Sequence, residues 1–284
     1  LKLNTPTENQ ITYDGVKDLK IVLLSDEAHH LQTATQKKEV EELEEEEIGW
    51  ESTVSKLLKQ NRDNILLEYT ATIDLDNENI AKKYEDKIII RYSLKEFRED
   101  KYSKDISLLK SDMSKDKRVL SALLLSYYRE KVASDNGINL KPTILIKSMK
   151  IKDSESDMED FLDLIKNLSV SDFEYFKDYD NPQIQKAISY FEKDSGFSYE
   201  NLITIFKYNY VDESIRIVNN TSVNETIVKE LNELEKNSIR VIFAVNMLNE
   251  GWDVLNLFDI VRLDESNSSK KDTVISDKQL IGRG

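Results

Sequence analysis

Short apolar runs alternate along this sequence with segments whose apolar residues recur at helical spacing. The runs are rich in isoleucine, leucine and valine, and each ends in polar residues, which is typical of strands. They lie at 21–25, 64–69, 87–92, 143–148, 214–218, 239–245 and 258–263. Because strands and helices alternate, the pattern predicts an α/β fold with mainly parallel sheets.

The helical periodicities fill the intervals between these runs. The pattern places helices from Trp50 through Leu58, at 117–133, through 158–165, across 182–208 and at 223–234. The first should pack through Val54 and Leu57, and the aromatic residues of 127–128 and 173–210 are expected in the core. The acidic segment 37–47 is interpreted as a solvated helix or a mobile insertion.

A shift in composition divides the chain into three parts. Residues 93–115 are polar and charged without a long apolar period, so they are interpreted as a linker. Residues 1–92 then form part of a first domain, and residues 116–284 form a second. A chain of 284 residues is long enough for two domains.

Composition excludes several classes of protein. No cysteine is present, which rules out disulfides and thiolate metal sites and suits a reducing cytoplasm. No apolar run approaches the roughly 20 residues of a membrane span, and the first residues do not resemble a signal peptide. The formal charge of −14 argues against a broad basic surface for nucleic acid, although it permits a local basic groove.

The first strand carries the clearest candidate chemistry. Its apolar residues favour a strand buried on both faces, and it ends in Asp26 and Glu27. Parallel sheets bind ligands beyond the carboxyl ends of their strands. There Asp26 could hold Mg²⁺ beside a nucleotide phosphate, and Glu27 could polarise a water molecule. The alternative is a strand that simply ends in a polar loop.

Two further polar groups follow these acids. His29 and His30 are the only histidines in the chain, and adjacent histidines without cysteine make a poor zinc site. Thr70 and Thr72 follow the second predicted strand, where hydroxyl groups can bond a neighbouring acid or close a turn. By itself the Thr-Ala-Thr sequence indicates no more than a turn.

Five short motifs together resemble superfamily-two helicases and translocases. They look like motifs II to VI of that superfamily, in order, and lie at 26–29, 70–72, 144–148, 249–253 and 279–284. The pair of histidines, the Asn-Glu-Gly-Trp-Asp form of the fourth motif and the acidic insertion before Trp50 are similar to the restriction (Res) subunit of type III restriction–modification enzymes. The resemblance covers about residues 19–284.

This resemblance implies two RecA-like lobes, with ATP between them and DNA across their top. It implies that Asp26 binds Mg²⁺ and that Glu27 activates the hydrolytic water. His29 would report nucleotide state to the second lobe, and Thr70 and Thr72 would couple hydrolysis to DNA movement. The expected activity is an ATP-dependent DNA translocase or helicase.

The resemblance also implies roles for residues near the end of the chain. Gly251 would allow close approach of the backbone, and Asp253 would face the nucleotide ribose or the contact between lobes. Gln279 would orient the cleft. Arg283 would be an arginine finger that neutralises charge on the γ-phosphate.

The implied partners are DNA and a modification subunit that carries a methyltransferase. Lys147 and Ser148 are the expected contacts to the phosphodiester backbone, because a motor that ignores sequence grips phosphate. Ordinary polar residues of a loop are the alternative interpretation for both.

The sequence departs from this pattern in two ways. It contains no Gly-Lys-Ser or Gly-Lys-Thr, so the phosphate-binding P-loop is missing, and no nuclease motif follows. We therefore expect a piece of a longer protein, with the first lobe incomplete at its N-terminus and with weak or no ATP hydrolysis alone. Another superfamily-two DNA or RNA helicase, or an inactive relic of the fold, remains an alternative.

Overall fold

The computed structural model describes most of the chain. The described residues are 12–32, 45–71, 73–105, 107, 109, 113–148, 150–218, 229–231, 233–245 and 256–263. The chain divides into two compact units, residues 1–93 and 94–284. Each contains a parallel sheet, which confirms the predicted α/β fold with mainly parallel sheets.

The first unit is built around a two-stranded parallel sheet. Its elements are α1 (Tyr13–Val16), β1 (Val22–Ser25), a 3₁₀ turn (Ala28–Gln32), α2 (Glu45–Gln60), β2 (Ile65–Glu68) and α3 (Glu78–Lys83). β1 pairs with β2 in the register Val22↔Ile65 to Ser25↔Glu68. Helix α2 joins the two strands and packs against α1 and the 3₁₀ turn.

The second unit contains a four-stranded parallel sheet in the order β4-β5-β3-β6. The strands are β3 (Thr143–Lys147), β4 (Ile215–Val218), β5 (Val241–Ala244) and β6 (Leu257–Arg262). Before them lie α4 (Leu94–Glu99) and α5 (Lys115–Asp135). Between β3 and β4 lie α6 (Ile151–Asn167), α7 (Val170–Lys177), α8 (Pro182–Phe191) and α9 (Tyr199–Asn209). Short 3₁₀ turns occur at Asp212–Ser214 and Leu234–Lys236.

Polar residues fix where several of these helices begin. The Asn77 side chain accepts hydrogen bonds from the first backbone N–H groups of α3, and Asn181 does the same for α8. Pro182 fits the first position of α8, because no intrahelical bond is needed there. Ser198 caps α9 through its hydroxyl oxygen. These caps satisfy backbone donors that a helix leaves unpaired at its start.

The sheet of the second unit is buried on both faces, as expected for parallel strands joined by helices. All of β5 and the first four residues of β3 are buried. On one face, Ile144, Ile146 and Phe243 belong to a core formed with α5 to α9. On the other face, Leu145 and Ile242 pack with a smaller apolar cluster.

Ion pairs fasten α5 to the sheet at the edge where its strands begin. Arg240 donates two hydrogen bonds to Glu130, at 2.7 and 3.1 Å, and Arg129 pairs with Asp259 at 2.5 Å. Burial raises the pKa of Asp259 above its ordinary value, and Arg129 opposes that rise. These pairs hold α5 at the edge of the sheet where the strands begin. The motif residues lie at the opposite edge, where the strands end.

Two predictions about strands were wrong. Residues 87–92 form no strand with the described residues, and Ile89 and Ile90 are exposed. An apolar run can specify an extended backbone, whereas a strand also needs a neighbour to bond. β1 is not buried on both faces, since Val22 is 56% and Leu24 69% exposed. Alternate side chains face opposite sides of a strand, and only the other side of β1 packs inward.

Helix boundaries and burial also differ in places. α2 begins at Glu45 rather than Trp50, because glutamates favour helix yet are invisible to an apolar periodicity. The aromatic residues of 173–210 mostly form core, but Tyr175 and Tyr208 are exposed. A short helix, α4, lies in the predicted linker. The expectations for 37–47 and 223–234 lie largely outside the described residues.

One helix offers a matched test of the core. Phe206 on α9 is fully buried against the edges of the Tyr127 and Tyr210 rings, whereas Tyr208 on the same helix is 83% exposed. Phe206→Ala is expected to lower the free energy of unfolding by about 3–5 kcal/mol, because it leaves a cavity. Tyr208→Ala should change it by less than about 0.5 kcal/mol. Urea denaturation measures both, and equal losses would contradict this assignment of the core.

Candidate functional site

The carboxyl ends of β1 and β2 lie side by side, which brings together residues that are about 40 positions apart. The Tyr69 backbone N–H donates to the Ser25 carbonyl at 2.8 Å, and the Ala28 N–H donates to the Tyr69 carbonyl at 2.9 Å. Backbone bonding therefore continues past both strand ends. It places the Asp26–Ala28 turn beside Thr70.

The two acids occupy a tight turn. The Glu27 backbone N–H donates to Asp26 Oδ1 at 2.9 Å, and the His30 N–H donates to the Glu27 carbonyl at 3.1 Å. Glu27 has a φ of 47°, in the left-handed region that side-chain-bearing residues rarely adopt. Such conformations cluster at functional sites, where surrounding contacts hold them. Here one hydrogen bond to the Asp26 side chain and one between backbone groups hold the turn.

His29 connects the acidic turn to the second strand. Its Nδ1 lies 3.2 Å from Thr70 Oγ1 and 3.5 Å from Glu27 Oε2. The protonated nitrogen can donate to either oxygen, and the unprotonated nitrogen can accept from the Thr70 hydroxyl. The His30 ring lies beside that of His29, with ring centroids 4.3 Å apart. The structure thus brings Asp26, Glu27, His29 and Thr70 into one polar cluster.

The donor set at this turn fits a magnesium ion that also binds phosphate. Mg²⁺ in nucleotide sites is held by one or two carboxylates together with phosphate oxygens and water. Asp26 is exposed, and its carboxylate lies at the carboxyl edge of the sheet. Among the described residues, no group of three or more histidine, aspartate or glutamate side chains could hold a metal ion.

Several residues of the predicted site lie outside the described part of the chain. These are Thr72, Gly251, Asp253, Gln279 and Arg283. Their roles stay predictions.

A second set of polar residues lies where β3 and β6 end in the other unit. Lys147 is the last residue of β3 and is paired in register with Arg262, the last residue of β6. Burial lowers the pKa of Lys147, and the nearby Arg262 charge lowers it further. Ser148 is buried, and its hydroxyl has no hydrogen-bond partner among the described residues.

Sequence reasoning missed Arg262, although a cation that ends an apolar strand was a usable signal. It also missed a set of side chains behind the His29 turn, namely Gln32, Glu51, Glu68, Lys83 and Tyr84. No local pattern marks those residues, because their contacts join positions far apart in the chain.

Comparison with known proteins gives one informative relationship. No protein-family model matches the chain, and no solved structure matches it. The chain is 37% identical over 306 residues to the "Probable type III restriction-modification enzyme HindVIP Res subunit" of Haemophilus influenzae. That match includes 94% of this chain. This chain is related to a Res subunit. It spans 59% of the length of that relative.

The relationship agrees with the resemblance to Res subunits. It concerns sequence along nearly the whole chain, and therefore both units. Within the described ranges, no helix combines the length and apolar character needed to cross a membrane.

The left-handed conformation of Glu27 leads to a test of the site's geometry. Glu27→Gly is expected to leave the free energy of unfolding within about 1 kcal/mol of the parent, because relief of strain offsets the added chain entropy. Glu27→Val is expected to lower it by about 1–3 kcal/mol, because a β-branched side chain clashes in that conformation. Urea denaturation measures both variants.

Glu85 supplies the control for this pair. It is an exposed acid in a turn of the same unit and does not have a positive φ. At this position, the valine variant is expected to have a free energy of unfolding at least as high as that of the glycine variant. If glycine and valine proved equivalent at Glu27, the left-handed conformation would be wrong.

Proposed function

We propose that this chain is the motor portion of a type III restriction endonuclease subunit, in which ATP hydrolysis drives movement on DNA. The observation that carries the proposal is the cluster of Asp26, Glu27, His29 and Thr70 at the ends of two parallel strands. The relationship to a Res subunit supports it, because that relative is named as a subunit of a restriction–modification enzyme.

The two acids take different roles in this proposal. Asp26 would hold Mg²⁺, which would supply positive charge for the nucleotide phosphates, because its carboxylate is exposed at the turn. Glu27 is partly buried and lies 3.5 Å from the His29 ring, so it is the better placed group to orient water. A positioned general base contributes about 10²–10⁴ in rate.

His29 and Thr70 couple the nucleotide to the rest of the motor. A displacement of the Glu27 side chain is transmitted to Thr70 through the His29 ring, because His29 Nδ1 contacts both Glu27 Oε2 and Thr70 Oγ1. Thr72 extends this coupling. The roles proposed for Gly251, Asp253, Gln279 and Arg283 rest on the sequence motifs alone: Gly251 and Asp253 face the nucleotide, Gln279 orients neighbouring groups, and Arg283 neutralises charge on the γ-phosphate.

DNA is the proposed track, held through its phosphates. Lys147 and Arg262 place two positive charges side by side at one edge of a sheet, despite a net charge of −14 for the chain. An edge of this kind attracts phosphate locally without a broad basic surface. The Ser148 hydroxyl adds a short-range donor. A modification subunit is the proposed protein partner, in keeping with the restriction–modification system named for the relative.

The catalytic assignment is tested in the full-length protein by Glu27→Gln. This change keeps the size of the side chain and removes the base, so DNA-stimulated ATP turnover is expected to fall at least about 100-fold. ATP affinity should change little, because Glu27 acts on water rather than on phosphate. Steady-state turnover and equilibrium nucleotide binding measure the two quantities.

Glu85→Gln is the matched control, since it removes an exposed acid of the same unit outside the cluster. It is expected to retain the parental turnover. If Glu27→Gln and the parent turned over ATP equally, Glu27 would have no catalytic role and the proposal would lose its chemistry.

A further inference from the structure

A buried bridge of side chains lies behind the polar cluster and joins the same two segments. Gln32 ends the 3₁₀ turn, and its side-chain Nε2 donates to the Tyr84 hydroxyl at 3.1 Å. The Tyr84 hydroxyl in turn donates to Glu68 Oε1 at 3.0 Å. Glu68 is the last residue of β2. We call these three residues the Gln32–Tyr84–Glu68 bridge.

The bridge connects the two segments that carry the proposed coupling residues. Gln32 lies three positions after His29, and Glu68 lies two positions before Thr70. Side-chain contacts therefore connect the two segments at two places. One is the contact between His29 and Thr70, and the other runs through the Tyr84 hydroxyl. A shift of one segment against the other must change both contacts, because each tie joins the same pair of short backbone stretches.

Burial makes the hydrogen bonds of the Tyr84 hydroxyl costly to break. Gln32 is only 1% exposed, and Tyr84 is buried at the end of α3. Burial raises the pKa of the Tyr84 hydroxyl well above its ordinary value, and the Glu68 carboxylate raises it further. Tyr84 therefore keeps its proton and remains a donor to Glu68. A buried polar group that loses its partner is costly, so the bridge resists opening.

A neighbouring lysine reinforces the arrangement. Lys83 Nζ donates to the Leu31 carbonyl at 2.8 Å and to Glu51 Oε1 at 3.0 Å. The last residue of α3 thus holds the 3₁₀ turn one position away from Gln32, and it also holds α2. The end of α3 is the common support for the turn that carries His29.

We propose that Tyr84 is a positioning residue that sets the contact between His29 and Thr70 through the Gln32–Tyr84–Glu68 bridge. Its consequence for catalysis rests on the proposed ATPase function, but its consequence for geometry does not. Tyr84 acts through Gln32 and Glu68.

The geometric test uses the two histidines as probes. The chain contains only His29 and His30, so ¹⁵N-labelled imidazole signals are few and can be assigned with a His30→Gln variant. Tyr84→Phe keeps the ring and removes the hydroxyl. It is expected to shift the His29 Nδ1 signal, because that nitrogen reports the hydrogen bond to Thr70. Gln32→Met cuts the bridge at its other end and should shift the signal in the same direction.

Tyr208→Phe is the control, because it removes an exposed hydroxyl far from the bridge in sequence and outside the first unit. It should leave the His29 signal unchanged. Lower stability in Tyr84→Phe and Gln32→Met with an unmoved His29 signal would overturn the proposal, because the bridge would then be structural alone.

The catalytic test uses the full-length protein. Tyr84→Phe is expected to lower kcat for ATP about two- to tenfold, the effect of one hydrogen bond, with an unchanged KM. A raised KM with unchanged kcat would contradict a role in positioning His29 and Thr70. If the full-length parent hydrolysed no ATP while the His29 signal still moved, the proposed function would fail and the positioning role would stand.

Discussion

Parallel pairing of β1 with β2 is the constraint on which the candidate site depends. Side chains that leave the carboxyl ends of two adjacent parallel strands must emerge at the same edge. The register that pairs Ser25 with Glu68 therefore decides that Asp26 and Glu27 lie near Thr70. The His29 ring then contacts both Glu27 and Thr70. No feature of the acids themselves would bring them to the threonine without that register.

The two units use the same principle with different degrees of burial. In the second unit, helices and apolar clusters cover both faces of a four-stranded sheet, and the cations Lys147 and Arg262 lie where β3 and β6 end. In the first unit, one face of β1 stays exposed. Yet its carboxyl edge is fixed by backbone bonds and by the buried Tyr84 hydroxyl. The geometry of the edge thus depends on local bonding more than on a complete core.

The sequence predicted those features that depend on local pattern. Buried parallel strands are recognisable as apolar runs, and polar residues at their ends could be expected to lie close together, as Glu27 and Thr70 do in contacting the same His29 ring. The contacts of Tyr84 could not be predicted, because they join residues up to 52 positions apart through packing that no periodicity encodes. Residues 87–92 failed as a strand for a related reason, since pairing is a property of two segments. The left-handed φ of Glu27 likewise follows from the turn as a whole.

Nucleotide affinity with and without Mg²⁺ tests the central claim most directly, because it probes the acidic turn without requiring catalysis. In the full-length protein, Mg²⁺ should tighten nucleotide binding, and Asp26→Asn should abolish that gain while leaving metal-free binding intact. Calorimetry at matched ionic strength measures both. If Asp26→Asn kept the full effect of Mg²⁺, the turn at the end of β1 would not be the metal-nucleotide site, and this account would be contradicted.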